Sequence, residues 1–112
     1  MNIQCFGRKK CFDTQKTERY FKERNIKYQF IDFNIKGLSK GELQSVKHSV
    51  GLNNLINTKA KDYKKSNLQQ IRGEETKEEI LLKNPQLFNT PIVRNGKEAT
   101  VGYVPEIWTT WE

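Results

Sequence analysis

The chain has 112 residues, with 20 Lys and Arg against 13 Asp and Glu, a formal charge of +7. That length suits a single domain, 1–112, whose modest core needs no disulfide or metal staple. No run approaches the ~20 apolar residues needed to span a bilayer, and Met1 to Lys10 holds no apolar signal-peptide core, so the cytoplasm is the expected location.

A basic balance suits anionic partners. The lysines are spread along the chain, however, with 59–65 the densest stretch, so a solubilising surface is expected and nucleic acid is not the expected partner. Two cysteines, Cys5 and Cys11, with His48 as the sole histidine give no zinc spacing, and no metal is expected. A structural disulfide is not expected in a reducing compartment.

Met1 to Phe6 alternates as a strand, with Ile3 and Cys5 on one side. Gly7 to Lys10 is a turn. A helix follows over Asp13 to Arg24, capped by Asp13 or Thr14, with Tyr20 and Phe21 toward the core and Asn25 as its end. Lys27 to Phe33 alternates as a second strand. This first unit has the length of a parallel β-α-β crossover.

From Leu38 to Leu87 the pattern turns helical and polar. Ser39-x-x-Glu42 is a capping box for a helix with Leu43, Val46 and Val50, stopped by Gly51. Leu52 to Ile56 and Asp62 to Ile71 read as two further helical pieces. A fourth starts at Glu74 or Glu75, ends at Lys83, and buries Ile80 and Leu81, with Leu82 as a further candidate. Strand character returns at Pro91-Ile92-Val93. Asn95-Gly96 signals a hairpin, with Ala99 to Tyr103 as partner strand. Pro105 to Trp111 reads as a last short helix. The sheet core thus covers 1–35 and 88–112, and a helical insertion covers 36–87.

Cys11 is the residue with most chemical promise. A thiol at a helix N-terminus lies near unpaired backbone N–H groups and the positive end of the macrodipole. Arg8, Lys9 and Lys10 precede it. Both features favour the thiolate, the reactive form. The alternative is a small half-buried cysteine in a strand-to-helix turn.

The element order is that of an α/β thioredoxin-like fold with a mixed four-stranded sheet. The chain resembles the arsenate reductase/Spx (ArsC-like) family over its whole length. The carrying pieces are Cys11-Phe12-Asp13-Thr14-Gln15-Lys16, Ile26-Lys27-Tyr28, Thr58-Lys59-x-x-x-Tyr63-Lys64, Asn89-Thr90-Pro91-Ile92-Val93 and Val101-Gly102-Tyr103. The resemblance implies that Cys11 is a catalytic nucleophile, that Thr14 donates to its thiolate, and that Pro91 is a cis-proline facing it. The alternative for Pro91 is a trans proline opening an edge strand. It also implies glutathione as co-substrate, glutaredoxin as a protein partner, no bound cofactor, and a monomer.

Two departures qualify the activity. Family members that reduce arsenate hold it with arginines, whose planar forks bind oxyanions bidentately. Here the corresponding places carry Asn57, Thr58 and Lys59, then Thr90, then Gly102 and Tyr103. That argues against arsenate as substrate unless Arg8 or Arg94 fills the role, with Lys10 and Thr90 as further binding candidates. The Spx branch carries Cys-x-x-Cys, whereas Thr14 stands at the second position here. The resemblance still leaves a non-enzymatic adaptor, binding RNA polymerase or another protein, as the alternative. Cys5 reads as a buried apolar residue, with a resolving thiol as the alternative.

Overall fold

The computed structural model describes residues 2–111. Four strands, β1 (Ile3–Gly7), β2 (Tyr28–Asp32), β3 (Ile92–Asn95) and β4 (Glu98–Val101), form one mixed sheet in the order β2-β1-β3-β4. β1 runs parallel to β2 and antiparallel to β3, and β3 is antiparallel to β4. Met1, the expected start of β1, lies outside the described residues.

Both faces of the sheet are covered, because side chains alternate along each strand. Ile3 and Cys5 of β1, with Val93 of β3, meet Tyr20 and Phe21 of α1 (Phe12–Glu23) and Trp108 of α6 (Pro105–Trp108). Trp108 donates its indole N–H to Thr100 Oγ1 at 2.9 Å, so the one polar atom of that ring is satisfied where it is buried. Phe6, Ile92 and Ala99 face the opposite way. They pack against Leu43 and Val46 of α2 (Lys40–Val50), Leu52 and Leu55 of α3 (Leu52–Leu55), and Leu81 of α5 (Glu74–Lys83).

Local signals place most of these elements. Ser39 and Glu42 form the reciprocal capping box at the start of α2. Gly51 ends that helix at φ +85°, and Asn25 ends α1 at φ +58°. Gly96 has φ +61° as the first residue of a two-residue hairpin loop, where Gly is favoured.

Two expectations need correction. Asp62 to Ile71 is not one helix. It is a single turn, α4 (Tyr63–Ser66), then a 3-10 turn over Leu68–Gln70, parted by Asn67 at φ +58°. Only Leu68 in that stretch is buried, so no apolar stripe forces a continuous helix. The N-cap of α1 is Cys11 rather than Asp13 or Thr14. Thr14 is pulled inward, fully buried, and does not serve the helix end.

Candidate functional site

β1 ends at Gly7, and the turn through Arg8 to Lys10 returns the chain so that Cys11 stands at the first turn of α1. The Cys11 backbone N–H donates to Arg8 O at 3.0 Å, which closes the turn. The thiol is half-buried. Across from it stands the loop before β3, where the Thr90–Pro91 peptide bond is cis. Thr90 Oγ1 donates to Cys11 Sγ at 3.1 Å, and the thiol faces Thr90 O at 3.8 Å. The loop is held on both sides. Gly102 N–H donates to Pro91 O at 2.8 Å, and Asn89 N–H donates to Leu55 O at 2.7 Å.

Burial alone would push the Cys11 pKa up, but four donors outweigh it and the pKa is lowered: the hydroxyls of Thr14 and Thr90, then the backbone N–H groups of Thr14 and Asp13. Thr14 needs a closer reading. Its Oγ1 is buried with no hydrogen-bond partner of ordinary geometry, although it leads the groups that favour the anion. Geometry decides the thiol state, in which the hydroxyl is unbonded. Deprotonation turns the sulfur into a strong acceptor, and a charge-assisted bond then becomes worth making. Gly7 creates the space for this hydroxyl. A Cβ on Gly7 would lie 2.6 Å from both Thr14 Cγ2 and Oγ1.

Arg8 enters the site by a different route from the one expected. Its guanidinium donates to Pro85 O at 2.7 Å, Phe88 O at 3.2 Å and Thr90 Oγ1 at 3.4 Å, and it lies over the Phe33 ring at 5.7 Å. Burial lowers its pKa, while the charges of Cys11 and Asp32 act in the opposite sense. Donors at the helix start and the two hydroxyls, rather than the basic run as such, account for the favoured thiolate. Lys9 and Lys10 are exposed, and no hydrogen bond among the described residues joins Lys10 to Cys11.

Arg94 is not brought to the site. On β3 it pairs with Gln4, two positions beyond the Phe6–Ile92 pair and toward the far end of the sheet. There it donates to Gln4 Oε1 at 2.8 Å and Ser45 Oγ at 3.4 Å, and approaches Glu42 Oε2 at 3.8 Å. Cys5 is fully buried on β1. Desolvation, helped by the charges of Glu18 and Cys11, pushes its pKa up to about 12. No group of His, Cys, Asp or Glu among the described residues could hold a metal.

Cys11 is partly exposed. Phe12 beside it is 78% exposed, and the ring of Tyr103 carries Lys16 Nζ at 5.8 Å from its centre. A groove of about 580 Å3 opens along β4, between Val50 and Ile107, and reaches the loop before β3 at Asn89. The residues missed in the sequence are Gly7, as the spacer for Thr14, and the backbone oxygens of Pro85 and Phe88. A glycine just ahead of the nucleophile turn was a usable signal, whereas carbonyls have no residue-type signature.

The fold is shared with known proteins. A relative, the global transcriptional regulator Spx 2 of Oceanobacillus iheyensis, is 28% identical over 106 residues, covering 92% of this chain and 78% of its own length. An ArsC family related protein from Bacteroides fragilis superposes with a TM-score of 0.84 at 25% identity over 100% of both chains. An arsenate reductase from Vibrio cholerae superposes at 0.85 with 24% identity, over 98% of this chain and 97% of that one, a likeness of fold. The thioredoxin-like α/β fold expected from the sequence is therefore the observed one. Residues 6–111, nearly the whole chain, match the ArsC family profile, and the protein is a member of the ArsC family.

Proposed function

We propose that this protein is a thiol-dependent oxidoreductase in which the Cys11 thiolate is the nucleophile. The observation that carries the reading is the half-buried Cys11 sulfur, its pKa lowered, with Thr90 Oγ1 donating to it at 3.1 Å. Cys11 attacks one sulfur of a substrate disulfide. A Cys11–substrate bond forms as the substrate S–S bond breaks, and the leaving sulfur departs as a thiolate with the electron pair. A glutathione thiolate, free or presented by glutaredoxin, then attacks the substrate sulfur of the mixed disulfide, forms a glutathione–substrate disulfide and returns Cys11 as thiolate. A second glutathione thiolate cleaves that disulfide, releasing the substrate thiolate and glutathione disulfide. No hydroxyl can replace the resolving thiol, so Thr14 holds the anion but does not resolve the adduct.

Arsenate fits this site poorly. Arg8, beside Cys11, already directs its donors to two carbonyls and a hydroxyl, and Arg94 is held by Gln4, Ser45 and Glu42. An oxyanion would find amides and hydroxyls but no free fork, and charge-assisted donors of about 1.5–3 kcal/mol each would be missing.

Intact mass after treatment with glutathione disulfide tests the reading. The wild type gains one glutathionyl group, Cys11→Ser gains none, and the adduct persists until external thiol is added. An internal Cys5–Cys11 disulfide, or labelling at Cys5, would overturn it. A second reading draws on the similarity to Spx 2: a regulator that binds a protein such as RNA polymerase. It predicts partner binding that survives Cys11→Ser.

A further inference from the structure

We propose that Arg8 is a positioning residue that fixes the direction of the hydrogen bond between Thr90 and Cys11, so that the Thr90 hydroxyl gives its proton to the sulfur. This rests on Cys11 being the nucleophile. The argument begins with valence. A hydroxyl has one proton to donate and two lone pairs to accept with, and a guanidinium can only donate. Arg8 Nη1 donates to Thr90 Oγ1 at 3.4 Å. The Thr90 oxygen is therefore the acceptor in that contact, and its proton is free for the neighbour on its other side, Cys11 Sγ at 3.1 Å. The chain of donors runs one way, from Arg8 through Thr90 to Cys11.

Direction matters because thiol and thiolate need opposite partners. A thiolate accepts and a thiol donates. With Thr90 aimed at the sulfur, the thiol is left with the carbonyl of Thr90 at 3.8 Å, a long and weak acceptor. A cationic donor behind the hydroxyl also polarises it and strengthens its own donation, as hydrogen bonds in series do at low local dielectric.

The geometry suits arginine in particular. Nη2 reaches Pro85 O at 2.7 Å while Nη1 is shared between Phe88 O and Thr90 Oγ1. These are two arms of one rigid plane, whose Cζ lies 5.7 Å from the centre of the Phe33 ring. An ammonium is a compact point charge and cannot span the three oxygens from one place. The carbonyls also tie the last turn of the helical stretch, Pro85–Leu87, to the segment that presents Thr90. That segment is braced from behind by the Ile56–Phe88 bridge.

Other charged groups around the pair do not supply this direction. Asp32, in β2, acts on the charge of Arg8 and Cys5 lies below on β1, while Lys9, Lys10 and Asp13 are exposed on the turn and the first turn of α1.

The test is the pH dependence of iodoacetamide alkylation at Cys11, read by mass spectrometry. In the wild type the midpoint lies below the ~8.5 of a free thiol. Arg8→Met moves it up by about one pH unit, the scale of one hydrogen bond to the charged form. Arg8→Lys keeps the charge but does not restore the midpoint, and Lys9→Met, an equal loss of charge nearby, shifts it by much less. Thr90→Val raises the midpoint itself. Arg8→Met then adds little in the Thr90→Val background, because two residues acting through one bond are not additive.

Full rescue by lysine, an equal shift in Lys9→Met, or additive shifts in the double variant would each show that Arg8 acts by charge alone, and would overturn the inference. An unchanged midpoint in Arg8→Met would do the same. A wild-type midpoint near 8.5 would instead sink the nucleophile reading. If Arg8→Met does not fold, the comparison of Arg8→Lys with wild type decides the same question.

Discussion

Cys5 and Cys11 lie at opposite ends of one short strand-and-turn segment, yet the fold drives their chemistry apart. Cys5 is fully buried in the cluster of Ile3, Tyr20, Phe21, Val93 and Trp108, and burial pushes its thiol up to about 12. Cys11 is also partly buried, and that burial acts in the same direction. Four donors reverse the outcome. Burial prevails at Cys5, whereas at Cys11 the donors aimed at the sulfur prevail, and those donors come from one helix start and one loop.

The largest expected effect sharpens this contrast through stability at alkaline pH. Cys5 ionises near 9 in the unfolded chain and near 12 in the folded protein. Its folded pKa is raised, so its contribution is fully present below pH 9 and is lost as pH rises toward 12, while the unfolded state alone ionises. The loss amounts to about 1.4 kcal/mol per pH unit, or about 4 kcal/mol over the whole window. Urea unfolding of wild type and Cys5→Ala between pH 7 and 11 checks this. The difference between the two curves removes most of the parallel contribution of Tyr28, whose pKa is raised chiefly by burial and Glu18 and only lastly by the Cys5 charge. A difference independent of pH would mean that Cys5 is not isolated from solvent. Cys11 has the opposite sign: its folded pKa is lowered, so what it contributes is present above the unfolded value and fades as pH falls through the folded one.

How much of this was legible in the sequence depends on how local the cause is. The strand-helix-strand unit, the Ser39–Glu42 capping box and the Asn95-Gly96 hairpin were readable, because periodicity and turn chemistry act within a few residues. The break at Asn67 was not, since a polar stretch with one buried leucine carries no pattern that separates one helix from two turns. Within the site, Cys11 could be named from its place at a helix start, and Thr14, Thr90 and Pro91 from the family resemblance. Arg94 could not be placed, because strand register decides which end of the sheet a β3 residue reaches. The attachments of Arg8 were also hidden, for they end on main-chain oxygens of Pro85 and Phe88.

A smaller effect follows from breaking the contrast at its base. Gly7 packs directly under Thr14, where an added Cβ would stand 2.6 Å from the Thr14 methyl and hydroxyl. Both the strand end and the first turn of α1 are constrained, so the clash must be relieved by moving Thr14. Gly7→Ala should cost about 1–3 kcal/mol in urea unfolding, as overpacking does in a filled interior. It should also raise the alkylation midpoint of Cys11, since the displaced hydroxyl no longer meets the thiolate. Alanine accepted without loss of stability would show that the turn is softer than its contacts suggest.

The smallest change isolates the hydroxyl from the packing. Thr14→Val replaces an oxygen by a methyl of similar size in a fully buried position. In the thiol state that oxygen has no hydrogen-bond partner, so its removal takes away an unmet desolvation cost of about 1–3 kcal/mol. Stability at a pH below the wild-type alkylation midpoint, where Cys11 is a thiol, should therefore hold or rise. The Cys11 midpoint should move the other way, upward, because the leading donor to the thiolate is gone. A gain in stability paired with a loss of thiolate is the signature of a polar group kept for chemistry rather than for folding. Loss of stability with an unchanged midpoint would reverse that assignment, making Thr14 a packing residue and leaving Thr90 and the helix amides to hold the anion. Chemical denaturation and alkylation on the same sample separate the two cases.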